Sequence, residues 1–296
     1  NQFTGTGGIN KVFIGTGYDF TPKISFGANA AYLWGQRIDA KTVIFPDTLA
    51  FLPYKEDVTT YVRGFNFDLG FQFKDTLVKQ DTSNNKLRPA IVHRFGATIN
   101  MSTNMNISRD YFARTFNAAS VFQSTKDTIA IFTGATESFR LPLGFAAGYS
   151  IEKINNWLIG IEYRQTKWSS LSNKLNSNQT LVDQHSFSLG GYYQPSIYFN
   201  RGFSNYIKNI RYMAGISYEL SEVYVNNTQI NNFGINFGLS LPVLHPYRRN
   251  IISSIDINFE YIQRGTLNNN LIREDYYRIG LGFTLSDQWF DRIKYD

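Results

Sequence analysis

Five carboxylates and four arginines carry most of the chemistry this sequence has to offer. Asp68, Glu162, Glu219, Asp256 and Glu260, with Arg94, Arg164, Arg211 and Arg278, each occupy the polar phase of a segment whose alternate residues are apolar. On a strand, that spacing puts them all on one face. If the apolar face meets lipid, an Arg or Lys placed there at mid-bilayer costs about 2–4 kcal/mol, so the charged residues are expected to line the lumen. Two arrangements are open for them. They pair with one another in a network that could also hold a plug, or they serve as a polar lining for a solute path or an anchor for a carboxylate headgroup.

Other chemistry is sparse. His93, His185 and His245 are far apart in the sequence and fit no metal-ligand spacing such as HExxH. No Gly-x-Ser-x-Gly elbow is present. The glycines at Gly5, Gly7, Gly8, Gly280 and Gly282 lack the strand–helix context of a nucleotide loop. A hydrolase would need His93 or His185 as base beside a rim serine. Histidines at strand starts, and in a turn beside Pro246, read more simply as interfacial or loop residues. Cysteine is absent, which excludes disulfides and thiolate metal sites. The expectation is a protein with no enzymatic site and no cofactor.

The elements that position the charges show best in residues 65–73. Phe65, Phe67, Leu69, Phe71 and Phe73 alternate with Asn66, Asp68, Gly70 and Gln72. The first set should face lipid and the second the lumen. A charge at Phe67 or Leu69 is expected to impair assembly, and a charge at Asn66 to be tolerated. The same two-residue period recurs along the chain. Phe233, Ile235, Phe237, Leu239 and Leu241 repeat it, as do Ile255, Ile257, Phe259 and Tyr261, then Tyr277, Ile279, Leu281, Phe283 and Leu285. The spacing predicts eleven strands and no helix. Two of them, 91–116 and 127–152, exceed the roughly 9–11 residues a bilayer needs, so that hairpin should project beyond the membrane.

Composition agrees. The 296 residues are 16% aromatic, with 25 Phe, 19 Tyr and 4 Trp, yet mean hydropathy is −0.28. No stretch approaches the roughly 18 apolar residues of a membrane helix. The most apolar, 141–151, contains Pro142, Gly144 and Gly148. Abundant rings with low average hydropathy are expected when lipid-facing and lumen-facing residues alternate. The fold class is therefore an all-β, antiparallel transmembrane β-barrel, one domain over residues 1–296. Trp34, Trp157, Trp168, Trp289, Tyr163, Tyr261 and Tyr277 are candidates for the interfacial aromatic girdle. The charge of +6 shows no basic cluster suited to nucleic acid. Lys41, Lys167, Arg264 and Arg273 could instead meet anionic lipopolysaccharide at the rim. Eleven is odd, whereas bacterial single-chain barrels have an even number of strands. An odd number of strands is accordingly expected before Asn1; the alternative is one miscounted strand in the long 91–152 region.

Several segments resemble FadL-like outer-membrane proteins of the Bacteroidota branch. They are residues 5–15 (GTGGINKVFIG), 24–33 (ISFGANAAYL), 259–266 (FEYIQRGT) and 271–285 (LIREDYYRIGLGFTL). The resemblance implies a bacterial outer-membrane barrel of 14 strands with an N-terminal hatch, and passive uptake of hydrophobic small molecules. The family's hatch and kinked early strand would both precede Asn1, so it assigns no ligand contact to this chain. Such barrels are also reused as non-transporting subunits of larger outer-membrane assemblies. Lipid, lipopolysaccharide and other outer-membrane proteins are the partners it implies.

Overall fold

A computed structural model describes residues 1–45, 51–77, 91–117, 124–171, 181–196, 202–244 and 252–285. His245, Trp289 and the polar stretches 78–89 and 172–179 lie outside the described residues. Thirteen strands form one antiparallel sheet. They are β1 (Gln2–Thr21), β2 (Ile24–Val43), β3 (Tyr54–Leu77), β4 (Ile91–Asn100), β5 (Asn104–Phe116), β6 (Thr125–Arg140) and β7 (Gly144–Lys153), followed by β8 (Trp157–Thr166), β9 (Gln184–Tyr193), β10 (Arg211–Val225), β11 (Thr228–Leu244), β12 (Ile252–Gly265) and β13 (Arg273–Thr284). Among the described residues no helix is long and apolar enough to cross a membrane. One seven-residue helix, α1 (Phe203–Asn209), sits in the link before β10, where the sequence pattern predicts none.

The ladder runs β1-β2-β3-β4-β7-β8-β9-β10-β11-β12-β13, eleven staves, with the β5–β6 hairpin off this path. Turns follow local chemistry. Asn226 and Asn227 take φ of 47° and 60° between β10 and β11, the positive-φ pair that a two-residue hairpin demands and Asn tolerates. The hydroxyl of Thr21 accepts from the backbone N–H groups of Lys23 and Ile24 to close the β1–β2 turn.

Register joins the apolar phases into a continuous belt. Tyr32 pairs with Phe65, and Phe26 with Phe71. Phe95 meets Tyr149, Ile161 meets Leu189, and Ile216 meets Ile235. Phe237 meets Phe259, which meets Ile279. Most of these side chains are exposed, Phe65 by 59% and Phe237 by 60%, and Tyr32, Phe71 and Ile235 are half-buried. A soluble sheet would bury such a face; a barrel turns it to lipid. The opposite face carries the polar phase. On β3 the open polar position is Gln72; the amide oxygen of Asn66 is buried without a partner, next to Ala31 at 2% exposure. That makes Gln72, not Asn66, the tolerant site for a charge.

The two long strands expected over 91–116 and 127–152 are each broken. β4 stops at Asn100 and β5 restarts at Asn104, while β6 stops at Arg140 and β7 restarts at Gly144. The joint is hydrogen-bonded: Met101 N–H donates to Phe67 O (2.8 Å), Leu141 N–H to Thr103 O (2.8 Å), and Ser102 Oγ to Leu141 O (2.7 Å). The upper part of β3 changes partner here, from β4 to β5. Between the pairs Asp68↔Asn100 and Gly64↔Met105, β3 spends three residues and the opposing chain four. One extra residue reverses which side chains face which way. Odd residues of β4 join the apolar belt, but odd residues of β5 turn to the other face. Met105 and Ile107 are 1% and 3% exposed there, with Gly64 directly against the Met105 sulfur. Among the described residues β6 pairs only with β5, so the hairpin stands beyond the staves.

β1 and β13 end the path, and no ladder joins them among the described residues. With eleven alternating staves they run in the same direction. Antiparallel closure between them requires an odd number of intervening strands.

Candidate functional site on the polar face

All nine charged candidates lie on the polar face, because register links their phases from strand to strand. Asp68 faces Asn100 across the ladder, Arg94 faces Ser150, and Arg164 faces Ser186. Glu162 faces Ser188, Glu219 faces Asn232, Arg211 faces Ser240, Asp256 faces Gly282, and Glu260 faces Arg278. The structure does not collect them in one place. They fall into local groups.

The largest group spans β4, β7, β9 and β10. Arg94 Nη1 lies 2.6 Å from Glu152 Oε2. The Tyr192 hydroxyl donates to Glu152 Oε1 at 2.8 Å. Arg211 stacks over the Tyr192 ring at 4.7 Å and donates to Gln194 Oε1 at 3.2–3.3 Å. One carboxylate is thus held by an arginine and a phenol, and the phenol ring carries a second arginine. Beside this group, a hollow of about 710 Å³ has Gln72, Arg94, Glu162, Arg164 and the glycines Gly96, Gly148, Gly160 and Gly190 in its wall. The hollow exists because its floor is glycine. Arg164 Nη2 reaches Glu162 Oε1 at 2.9 Å on the same strand.

The remaining candidates pair locally. Asp68 accepts from Asn100 Nδ2 at 2.7 Å and meets Lys11 Nζ at 3.5 Å. Asn232 donates to Glu219 at 3.1 Å. Arg278 Nη1 donates to Glu260 at 2.8 Å. Asp256 accepts from the hydroxyls of Ser254 and Thr284. Every one of the nine has a polar partner, and the set with Lys11 and Glu152 holds six carboxylates against five cations. Near-balanced, paired charges hold a wall together more readily than they steer an ion.

At the projecting end of β3 a second cluster sits beyond the belt. The Tyr54 hydroxyl donates to Glu56 Oε2 at 2.8 Å and lies 3.2 Å from the Tyr111 hydroxyl. The Tyr111 hydrogen bond, with partial burial and the Glu56 carboxylate, pushes the Tyr54 pKa well above the usual tyrosine range.

Neither described histidine meets a serine. His93 Nδ1 contacts the Tyr149 hydroxyl, and His185 Nδ1 the Tyr163 hydroxyl at 2.9 Å, both on the apolar face. Among the described residues no group of three His, Asp or Glu side chains is arranged to hold a metal ion. Sequence reasoning missed Lys11, Asn100, Glu152, Tyr192 and Gln194. Glu152 and Lys11 already stood on the polar phase of their strands and could have been found there. Tyr192 could not, because a ring on the polar phase reads as noise until its partner Glu152 is known.

The chain matches the family described as BamG over residues 1–296. It belongs to the BamG family. The BamG-family chain is also similar in fold to a solved structure titled CymD monoaromatic hydrocarbon channel. The two are 14% identical, with a TM-score of 0.53, and the match covers 94% of this chain and 73% of that one. That likeness bears on the fold alone and agrees with the antiparallel barrel expected from the alternating strands; the matching family is BamG, not the FadL-like family that the strand segments resemble. No curated protein matches the chain.

Proposed function

We propose that this BamG-family chain serves in the bacterial outer membrane as a barrel subunit of a larger protein assembly, one connected with the assembly of other barrels. Membership of the BamG family along all 296 residues is the observation that carries the reading. Two features of the fold suit it. The outer strand of the β5–β6 hairpin, β6, has a ladder edge unpaired among the described residues, which offers a partner backbone hydrogen bonds. Each of the nine lumen candidates has a polar partner, which suits a wall better than a conduit. Affinity purification of the tagged full chain at native expression, followed by mass spectrometry, tests the reading. Stoichiometric co-purification of other outer-membrane proteins is expected; recovery of a lone barrel in mild detergent overturns it.

Passive uptake of hydrophobic small molecules is the second reading, supported by the fold shared with a hydrocarbon channel. Its test is separate: uptake of a hydrophobic probe into vesicles containing only this protein. Rates equal to empty vesicles dismiss it.

A further inference from the structure

The reversal at the β4–β5 joint has an effect on the opposite side of the sheet. Up to Phe65 the belt face of β3 is apolar; the next belt-facing residues are Arg63 and Tyr61. On β5 the reversal brings Asn104, Asn106 and Ser108 to this face. Register aligns Arg63 with Asn106, Asn106 with Ser138, and Asn104 with Arg140. Arg63 and Arg140 thus flank β5 at the height where the rings end. Both are exposed, and among the described residues neither has an ion-pair or hydrogen-bond partner for its guanidinium.

Two hollows meet at this point. The upper, about 1110 Å³, is walled by Asn10, Trp34, Gln36, Tyr61, Arg63 and Ser138 among others. Its lining includes one carboxylate, Glu137, which belongs to the opposite phase of β6. The lower, about 540 Å³, runs past Phe65 and Phe67. Tyr32, Arg63 and Asn106 border both hollows. The Tyr32 ring stacks on Trp34 (5.8 Å between centroids) and tilts against Phe65 (5.0 Å). The result is a groove whose amide-lined head carries the Arg63 guanidinium, with Arg140 at its edge across the ladder from Asn104, and an aromatic slide leading into the belt.

We propose that this groove binds a phosphate-bearing acyl lipid. The guanidinium groups of Arg63 and Arg140 take the phosphate oxygens, with the Asn104 and Asn106 amides as further donors. An acyl chain descends along Tyr32, Phe65 and Phe67. Guanidinium suits a phosphate because its planar N–H fork can make two parallel bonds to it, and the rings supply contact at the interface. A glycerophospholipid and a phosphorylated glycolipid of the lipid A type share this chemistry. The site is independent of the assembly reading, since a lone barrel could bind such a lipid too.

Native mass spectrometry of the detergent-purified full chain tests it, with phosphatidylglycerol, lipid A and phosphate-free diacylglycerol as probes. Wild-type protein should retain at least one phosphorylated lipid about tenfold more strongly than diacylglycerol; which one identifies the source. Arg63→Gln/Arg140→Gln should lose that preference, Arg63→Lys should keep part of it, and Arg37→Gln, whose side chain pairs with Asp39 on the opposite face of β2, should keep it all. Equal retention of diacylglycerol and both phosphorylated lipids by wild-type protein overturns the proposal without recourse to variants. So does an unchanged preference in a folded double variant.

Discussion

Leu69→Arg is the sharpest test of the two-faced wall. On the belt face of β3 the nearest charged residues are Arg63 above and Asp75 below, each six residues away. At about 3.3 Å per residue, each lies about 20 Å along the strand from Leu69. The twelve-residue span is about 40 Å long, and a tilt of about 40° reduces it to about 30 Å along the membrane normal, the thickness of the hydrocarbon core. Leu69 therefore sits at the midplane, between Ala28 and Ile99, and 20 Å of strand is too far for an arginine to reach water. The expected loss is about 2–4 kcal/mol, or roughly 30- to 700-fold in the folding equilibrium at about 1.4 kcal/mol per decade. Gln72→Arg places the same side chain three residues away on the polar face, opposite Ser25 and Gly96, and should stay within about 1 kcal/mol. Urea titration in short-chain phosphatidylcholine bilayers, read by the gel shift of unheated protein, gives both numbers. If Gln72→Arg loses as much as Leu69→Arg, or if neither loses stability, the assignment of faces is wrong.

Two further outcomes follow from close geometry and from the projecting cluster. A Cβ on Gly191 would lie 2.1 Å from the backbone oxygen of Leu158, whereas one on Gly8 would meet nothing within 4 Å. Gly191→Ala should therefore destabilise the barrel by about 1–3 kcal/mol through a strained β8–β9 ladder, and Gly8→Ala should leave the urea midpoint unchanged. Tyr54 has a raised pKa in the folded state, so folding favours its protonated form. The associated stability is fully present below the ordinary tyrosine pKa of about 10 and is lost as pH rises through the raised folded value. Tyr54→Phe should flatten the fall in urea midpoint above pH 10 while leaving the rest of the curve parallel to wild type.

Much of the wall was legible because its two signals are local. Alternation over 65–73, 233–241, 255–261 and 277–285 needs no knowledge of neighbours; nine of the eleven segments read this way are single staves, while 91–116 and 127–152 each supply one stave and one strand of the β5–β6 hairpin, thirteen strands rather than eleven. The nine charged candidates were placed on the polar face by the same logic. What the pattern could not supply was partnership. Asp68 to Lys11 and Arg94 to Glu152 connect residues 57 and 58 positions apart, and depend on strand order and register rather than spacing. The α1 helix was missed for a related reason: seven residues hold fewer than two full turns, too few for a 3.6-residue period to show.

The joint at 101–103 was the real limit of pattern reading, and it is also where the molecule stops being a plain barrel. Met105 and Ile107 continue the odd apolar phase of Phe95, Ala97 and Ile99, so the sequence reads as one long lipid-facing strand. The extra residue sends Met105 and Ile107 to the other face, where they are buried, and turns Asn104, Asn106 and Ser108 outward. A strand that kept its phase would have set amides inward and apolar side chains outward above the rings, where an apolar surface would be left in water. Reversal lets the base of the β5–β6 hairpin leave the rings with Asn104, Asn106 and Ser108 on its outer face and Met105 and Ile107 buried behind them. The projecting hairpin that suits a protein partner and the cationic groove that suits a lipid phosphate both follow from that single inserted residue.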